Sequence, residues 1–548
     1  MKIEIARRAG FCMGVRRAMR LALRAAETAE KPVYTYGPLI HNPQALELLQ
    51  KLGVEDLRKH LEAREGVVII RAHGVPPEEK ENLLRQGFEV VDGTCPRVAR
   101  VQALARKYAR EGYQVIIIGD QEHAEVKGIL AYTEGRGLVV SNFGDLERLP
   151  PLEKYVILSQ TTQDEEVFEV LSQEILSRFP GGQVINTICH ATHVRQESIR
   201  ELAARCEALV VVGGRGSANT NRLAQIAREE GREVFLVETP EELPLEKLAS
   251  FRRLGVSAGA STPNWLINGV VERLKAYRNP WRRVLLLALY LHIPLFLSVA
   301  GLTAGADLLT GRSLFPVEPL VAFLLTFFAH TWNLLGARGF LSLCQPYKAA
   351  FYARHERVLV GTVVGSFLLA LLLALKLDPL TFVTLALLGG LSALYSLTRL
   401  RSLFPGNRTL FISAYWVVLA AILSLPWENP VPLLLLLPLA FWQALYLDLL
   451  DLFEDGFVGK ESLAALLGEK RAFRLLKILI ALGAFVHLFL ALGLELNLLV
   501  LFPLWAYLLG LTLYLQRRPL GRRLFLEYLG TSPGLVFFGL ALLARGLS

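Results

Sequence analysis

Three of the five cysteines in this 548-residue chain share one local setting. Cys12 stands in "RRAGFCMGVRRA", Cys95 in "VVDGTCPRVARVQ" and Cys189 in "VINTICHATHVRQ", each at a polar bend before a helical pattern. Gln102 follows Cys95 by seven residues, and Gln196 follows Cys189 by the same interval. A lone cysteine is most simply a small buried hydrophobe. That reading is kept for Cys206, inside the helical stretch "IRELAARCEALV", and for Cys344 in the apolar second half. Recurrence of one bend argues otherwise for the other three. Three thiolates can hold zinc or an iron–sulfur cluster. Zinc sites usually draw two ligands from one short C-x-x-C or H-x-x-x-H clip, and none is present. Three ligands from three separate units fit a cluster caged at a centre of approximate threefold symmetry. Three thiolates on a four-iron cubane leave one iron without a protein ligand, open to substrate as a Lewis acid.

Histidines supply the second half of the chemistry. His41 lies in "GPLIHNPQ", His73 in "RAHGVP" and His123 in "GDQEHAEVKG", polar loops flanked by Gly or Pro. With Ser217, Asn219 and Ser261 they make a donor-rich set suited to an anion such as diphosphate. Glu125, two residues after His123, is the carboxylate inside these motifs and the candidate for delivering protons. His190 and His193 flank Cys189 and read as surface or supporting residues.

The elements that must position these groups alternate short apolar runs with amphipathic helices. Strand-like runs cover 66–74, 113–123, 154–162, 208–219 and 252–262, separated by stretches such as "PEEKENLLRQG" and "RVARVQALARKYAREG". That alternation predicts parallel strands with crossover helices. Ligands in such sheets bind beyond the carboxyl ends of the strands. Each run here ends in a polar loop, carrying in turn His73, His123 with Glu125, Thr161 with Thr162, Ser217 with Asn219, and Ser261 with Thr262. These loops are expected to converge.

Residues 1–278 resemble the hydroxymethylbutenyl diphosphate reductase family (IspH, LytB). The matching stretches are "GFCMGVRRA", "GPLIHN", "RAHGV", "DGTCP", "HAEVKG", "SQTT", "ICHATHVRQ", "SANTNRL" and "GVSAGASTP", in that order. The resemblance implies an α/β trefoil of three similar units around a central [4Fe–4S] cluster on Cys12, Cys95 and Cys189. It implies that His41, His73, His123, Ser217, Asn219 and Ser261 bind the substrate diphosphate and that Thr192 lies near the substrate hydroxyl. It assigns catalysis to Glu125, His123 and Thr161. It implies reductive loss of the allylic hydroxyl of 4-hydroxy-3-methylbut-2-enyl diphosphate, giving isopentenyl and dimethylallyl diphosphate, with a ferredoxin- or flavodoxin-type electron donor. One departure is Ala218, where such families usually carry Ser or Thr. Two readings from other classes stand beside this one: a membrane-anchored iron–sulfur electron-transfer protein whose second half is only an anchor, and a zinc-stabilised scaffold.

Composition changes near residue 280, so a second domain over 279–548 is expected. Apolar stretches at 284–305, 317–336, 358–377, 379–396, 409–425, 431–447, 473–493, 496–515 and 531–545 predict an all-α polytopic membrane domain of about nine helices. The net charge of +9 does not indicate a nucleic-acid partner, because much of the basic excess sits in short loops beside these stretches. Basic loops alternate with nearly uncharged ones such as "LPWENP". The positive-inside rule then predicts a multi-pass protein of the inner (cytoplasmic) membrane, in contact with lipid, the first domain cytoplasmic and the C-terminus outside. The start, "MKIEIARRAG", shows no secretory signal, and a reducing compartment suits the sparse cysteines.

Within this half, Asp448, Asp451 and Asp455 follow steps of three and four, which put them on one helix face. Clustered carboxylates repel unless a cation sits among them, and Mg²⁺ bridging a prenyl diphosphate is the natural partner. "YLDLLDLFEDGFVGKESLAALLG" and "LYSLTRL" resemble the UbiA family of membrane prenyltransferases. That family carries a first aspartate motif at the end of its second span. Here the place reads "HTWNLLGARGFLSL", with Asn333 and no Asp, leaving Arg338 or Lys348 as candidate direct contacts to a diphosphate.

Overall fold

The computed structural model describes residues 2–309, 317–336, 345–397, 406–424, 431–453, 462–493, 502–517 and 523–547. The chain divides into two compact units, Met1–Leu274 and Lys275–Ser548.

The first unit opens with β1 (Lys2–Ile5) and α1 (Met13–Thr28). Then come β2 (Val33–Tyr36), α2 (Pro43–Lys51), β3 (Val54–Asp56), β4 (Val67–Ile70), α3 (Pro77–Arg85), β5 (Glu89–Val91) and α4 (Pro96–Arg110). Next are β6 (Gln114–Ile118), α5 (Ala124–Ala131), β7 (Gly137–Val140), α6 (Phe143–Leu146), β8 (Tyr155–Ser159), α7 (Glu165–Arg178), β9 (Gln183–Val184) and α8 (His190–Arg205). The last are β10 (Ala208–Val212), α9 (Ala218–Glu229), β11 (Glu233–Val237), α10 (Leu245–Leu248), β12 (Arg253–Ala258) and α11 (Asn264–Arg278).

The strands form three four-stranded sheets, ordered β3-β2-β4-β5, β7-β6-β8-β9 and β11-β10-β12-β1. All pairings are parallel. Written by order of appearance, each sheet reads second-first-third-fourth. In the last sheet the fourth place is taken by β1, whose Ile3 pairs with Leu254. Central strands are buried along their length: "VVII" in β4, "YVILS" in β8 and "ALVVV" in β10. Covered on both faces by crossover helices, they read as unbroken apolar runs. Edge strands are shorter or half-exposed, as in the two exposed residues of β9.

Cys206 lies in one of the resulting cores, against Ile199, Leu202 and Leu209.

The second unit is helical. Helices occupy the predicted apolar stretches, from Pro280–Tyr290 with Ile293–Leu309 through Val317–Gly336, Glu356–Ala374, Pro379–Leu397, Asn407–Ser424, Val431–Phe453, Glu469–Gly493 and Phe502–Gln516 to Pro533–Leu547. Among the described residues three helices are long and apolar enough to cross a membrane, or five if each bent pair counts as one span. Two further apolar helices, Pro379–Tyr395 and Asn407–Leu423, are shorter than a full span among the described residues. His292, at φ 55°, stands between the first two helices, which bend by 65°. Small residues set the closest packing. A Cβ on Gly301 would stand 2.7 Å from the Gly534 carbonyl, and the Gly534 N–H donates to Ser298 Oγ at 2.9 Å. Glycine there lets two apolar helices approach backbone to backbone.

Candidate functional site

The three cysteines recur because each occupies the same place in one of the three sheets. Cys12 follows β1, Cys95 follows β5 and Cys189 follows β9, the fourth strand each time. Each is the N-cap of the next helix: α1, α4 and α8. Each amide donates to a carbonyl two residues past the third strand. Cys12 N–H reaches Ala260 O at 3.0 Å, Cys95 N–H reaches Ala72 O at 2.9 Å, and Cys189 N–H reaches Thr161 O at 2.8 Å. All three are free thiols of intermediate exposure. Burial raises the Cys95 thiol, N–H groups of Arg97 and Val98 oppose that, and Cys12 and Cys189 add to it as like charges. Cys95 thus lies within electrostatic range of both other sulfurs. A Cβ on Gly14 would stand 2.5 Å from Cys95 Sγ, so only glycine lets α1 lie this close. Helix N-termini favour negative charge and thiolates. Half-exposed sulfurs at three such termini are a donor set that fits an iron–sulfur group.

The first and third strands of each sheet deliver the polar groups. His41 and His73 follow β2 and β4, His123 and Thr161 follow β6 and β8, and Ser217 and Ser261 follow β10 and β12. The imidazoles of His41, His73 and His123 meet, with one ring nitrogen of each within 4.8 Å of the others. Ring centroids lie 4.7 Å apart for His41–His73, 5.4 Å for His73–His123 and 6.0 Å for His41–His123. Ser261 Oγ donates to the His41 carbonyl at 3.0 Å and approaches Ser217 Oγ at 3.4 Å. Asn219 is buried, and its Nδ2 has no hydrogen-bond partner among the described residues; the same holds for Asn42 Nδ2 beside His41. Orphaned buried donors are costly unless a ligand takes them.

Desolvation lowers all three imidazoles, His73 furthest. The Arg71 guanidinium also lowers each of them. Burial and that positive charge both favour the neutral form of these imidazoles. His123 Nδ1 accepts from the Glu125 N–H at 3.2 Å, which puts its proton on Nε2.

Glu125 is 2 % exposed. Its Oε1 accepts from the Thr161 N–H at 2.7 Å and its Oε2 from the Thr161 hydroxyl at 2.9 Å. Burial pushes the carboxyl up to about 7 despite those two donors. Thr192, buried, donates to the Thr161 carbonyl at 3.2 Å, the same carbonyl that accepts from Cys189 N–H. Glu125, Thr161, Thr192 and Cys189 therefore form one bonded chain. Such a group, protonated near neutrality and fixed beside anion-binding donors, can hold and release a proton.

One residue beside the cysteines, Arg195, escaped sequence reading. Arg195 is 6 % exposed, donates to Gly10 O at 2.7 Å and Ala191 O at 2.9 Å, and lies within electrostatic range of Cys12 and Cys189. Its place six residues after Cys189, in a helix capped by that cysteine, was the available signal. Gln102 is buried, and a Cβ on Gly74 would stand 2.5 Å from its Nε2, so the Cys95-to-Gln102 interval serves packing beneath the His73 loop. His193 pairs with Glu165 at 2.5 Å on the surface, and His190 stacks beside it. Ala218 is exposed at the start of α9.

In the second unit, Asp448 and Asp451 lie on the helix Val431–Phe453; Asp455, Arg338 and Cys344 are outside the described residues. Both Asp448 oxygens are engaged, Oδ1 by Arg408 Nη2 at 2.5 Å and Oδ2 by the Thr409 hydroxyl. Asp451 Oδ1 accepts from Gln345 Nε2 at 3.0 Å. Lys348 is buried, 3.9 Å from Glu527.

Comparison with known proteins places the first unit. The sequence model of the LytB protein family matches residues 3–275. The 4-hydroxy-3-methylbut-2-enyl diphosphate reductase of Geobacter sulfurreducens is 42 % identical over 279 residues, covering 51 % of this chain and 99 % of the relative. That of Aquifex aeolicus is 43 % identical over 277 residues, covering 50 % of this chain and 96 % of the relative. A solved (E)-4-hydroxy-3-methyl-but-2-enyl diphosphate reductase is 42 % identical and covers 50 % of this chain and 99 % of its own, at a TM-score of 0.41. A UbiA homolog from Archaeoglobus fulgidus, solved with GPP and Mg²⁺, is 17 % identical and covers 48 % of this chain and 98 % of its own, at a TM-score of 0.39. On the strength of its relatives over the first unit, the chain belongs to the LytB family of 4-hydroxy-3-methylbut-2-enyl diphosphate reductases.

Proposed function

We propose that residues 1–278 form a reductase domain acting on 4-hydroxy-3-methylbut-2-enyl diphosphate. The allylic hydroxyl leaves as water, two electrons and two protons are consumed, and isopentenyl and dimethylallyl diphosphate are the products. What carries this reading is the equivalent position of Cys12, Cys95 and Cys189 in three like sheets, next to a pocket of three imidazoles. In this reading the sheets form a trefoil around the cysteines. A [4Fe–4S] cluster on those thiolates would supply single electrons and a Lewis-acidic iron for the hydroxyl oxygen.

The remaining work falls to the chain itself. His41, His73 and His123, with Ser217, Asn219 and Ser261, grip the diphosphate. Anion binding favours protonated imidazoles, so proton uptake accompanies it. Holding that end fixed orients the hydroxyl end toward the cysteines. Thr161 aims the Glu125 carboxyl through two hydrogen bonds, and Glu125 carries the proton that the departing oxygen needs. Thr192 lies near the hydroxyl and steadies Thr161.

Residues 279–548 are read as a membrane domain of about nine spans in the inner membrane, with the reductase cytoplasmic and the C-terminus outside. Asp451 and Asp455, with Asp448, are its candidate Mg²⁺ and prenyl diphosphate residues. The two oxygens of Asp448 already held by Arg408 and Thr409 favour a second reading, in which this domain only anchors the reductase.

The test is an anaerobic assay of the full chain with the allylic diphosphate and a reduced viologen dye. Both five-carbon products should form, and Cys95→Ser should abolish them together with the brown cluster absorbance. Absence of product from protein with intact absorbance would refute the assignment. A parallel incubation with geranyl diphosphate, Mg²⁺ and membrane lipid separates prenyl transfer from mere anchoring.

A further inference from the structure

The helices capped by Cys12 and Cys95 carry an unusual charge. Arg16, Arg17, Arg20 and Arg24 lie on α1, Arg97 and Arg100 on α4, and neither helix has an acidic residue in its first turn. All but Arg16 are exposed. Among the described residues no carboxylate pairs with any of the six. Elsewhere on the same unit, exposed arginines such as Arg110, Arg178 and Arg215 each bond a glutamate. Crowding is evident at Arg20, lowered first by burial and then by its neighbours Arg24 and Arg16.

This charge sits beside the sulfurs. Gly14 packs against Cys95 Sγ, and Arg17 Nη1 donates to Thr94 O at 3.1 Å, one residue before Cys95. Arg16 acts on Arg195, which in turn feels Cys12 and Cys189. Met13, next to Cys12, is 63 % exposed, and Pro96, next to Cys95, is exposed as well. Exposed apolar residues thus share these two helices with arginines that lack carboxylate partners, beside half-exposed thiols.

We propose that the α1–α4 face is where the acidic one-electron donor protein expected for such a reductase docks. This rests on the reductase reading above. Each turnover oxidises two donor molecules by one electron each. With two protons, those electrons convert the allylic alcohol R–OH into R–H and water. Acidic side chains on the donor complete the pairs the arginines lack, which steers encounter and fixes orientation. An anionic lipid surface would satisfy the same charge. It would also cover the approach to the thiols and shut the donor out, so the soluble protein is the better occupant.

The test uses the full chain with two reductants, a reduced acidic flavodoxin-type protein and a reduced viologen dye. Arg20→Glu/Arg100→Glu reverses two exposed charges, and Arg24→Glu/Arg97→Glu gives an independent pair. Each should raise KM for the protein donor about tenfold or more and flatten its salt dependence, while turnover with the dye stays within about twofold. The control Arg148→Glu/Arg178→Glu, with the same charge change outside α1 and α4, should alter neither. An unchanged KM for the protein donor in both pairs overturns the proposal. An unchanged donor KM, together with loss of the reconstituted chain's response to anionic phospholipid in dye turnover, overturns it in favour of the membrane. A wild-type chain inactive even with the dye sinks the reductase reading instead.

Discussion

Glu125 offers the sharpest quantitative test of the proton route. Its carboxyl rises from 4.5 to about 7, a difference of roughly 3 kcal/mol against the ionised form. If the protonated acid is the active form, kcat/KM measured with a small reductant should be flat in mild acid. Above about pH 7 it should fall tenfold per pH unit. Thr161→Val removes the hydroxyl that donates to Oε2 at 2.9 Å but keeps the backbone donor at 2.7 Å. A hydrogen bond to a charged acceptor is worth about 1.5–3 kcal/mol, or roughly one to two pKa units. The alkaline limb should therefore move up to about pH 8–9 in Thr161→Val. Glu125→Gln should lose about 10²–10⁴ in rate and lose the limb altogether. The assay is a pH series under anaerobic conditions, with cluster absorbance recorded for each variant. A limb that stays near pH 7 in Thr161→Val, or persists in Glu125→Gln, refutes the assignment of the proton to this carboxyl. The same shift sets a stability window. The folded chain keeps a proton that the unfolded chain releases, so this contribution is complete below about pH 4.5 and is lost as pH rises to about 7. The lowered imidazoles act oppositely: they stay neutral when folded, and stability falls as pH drops below their ordinary 6.5.

Two further outcomes follow from packing. Gly14→Ala places a methyl 2.5 Å from Cys95 Sγ, so it should cost about 1–3 kcal/mol in stability and reduce the brown absorbance per protein; retention of both at wild-type levels would contradict the close approach. In the second unit, Arg408→Gln leaves the buried Asp448 without its cation and should destabilise by about 3–5 kcal/mol, whereas Arg408→Gln/Asp448→Asn should recover most of that in thermal melting. A double variant as unstable as the single one would show that the pair is not the source.

Much of the first unit was legible because its central strands are covered on both faces. β4, β6, β8, β10 and β12 announce themselves as apolar runs, and the loops after them hold the polar residues. The edge strands β3, β7 and β9 are too short or too exposed for a pattern to emerge. The seven-residue step from cysteine to glutamine marked Cys95 and Cys189, whereas Cys12 has Met19 at that step and shared only the bend before a helix. Arg195 stayed hidden since an arginine on a helix reads as exposed until the loop at Gly10 closes over it. The link between Asp448 and Arg408, forty residues apart, is a tertiary pairing with no local trace. So is β1, whose partner lies some 250 residues downstream.

That last pairing bears on how the molecule is made. The sheets built from 33–91 and 114–184 can close as soon as those segments leave the ribosome. The remaining sheet cannot, for its first strand is synthesised at the outset and waits for β12. Such long-range closure is slow. Cys12 is thus held back from Cys95 and Cys189 until nearly the whole first unit has been translated, so the three thiols reach their like positions only in a chain whose first unit is complete.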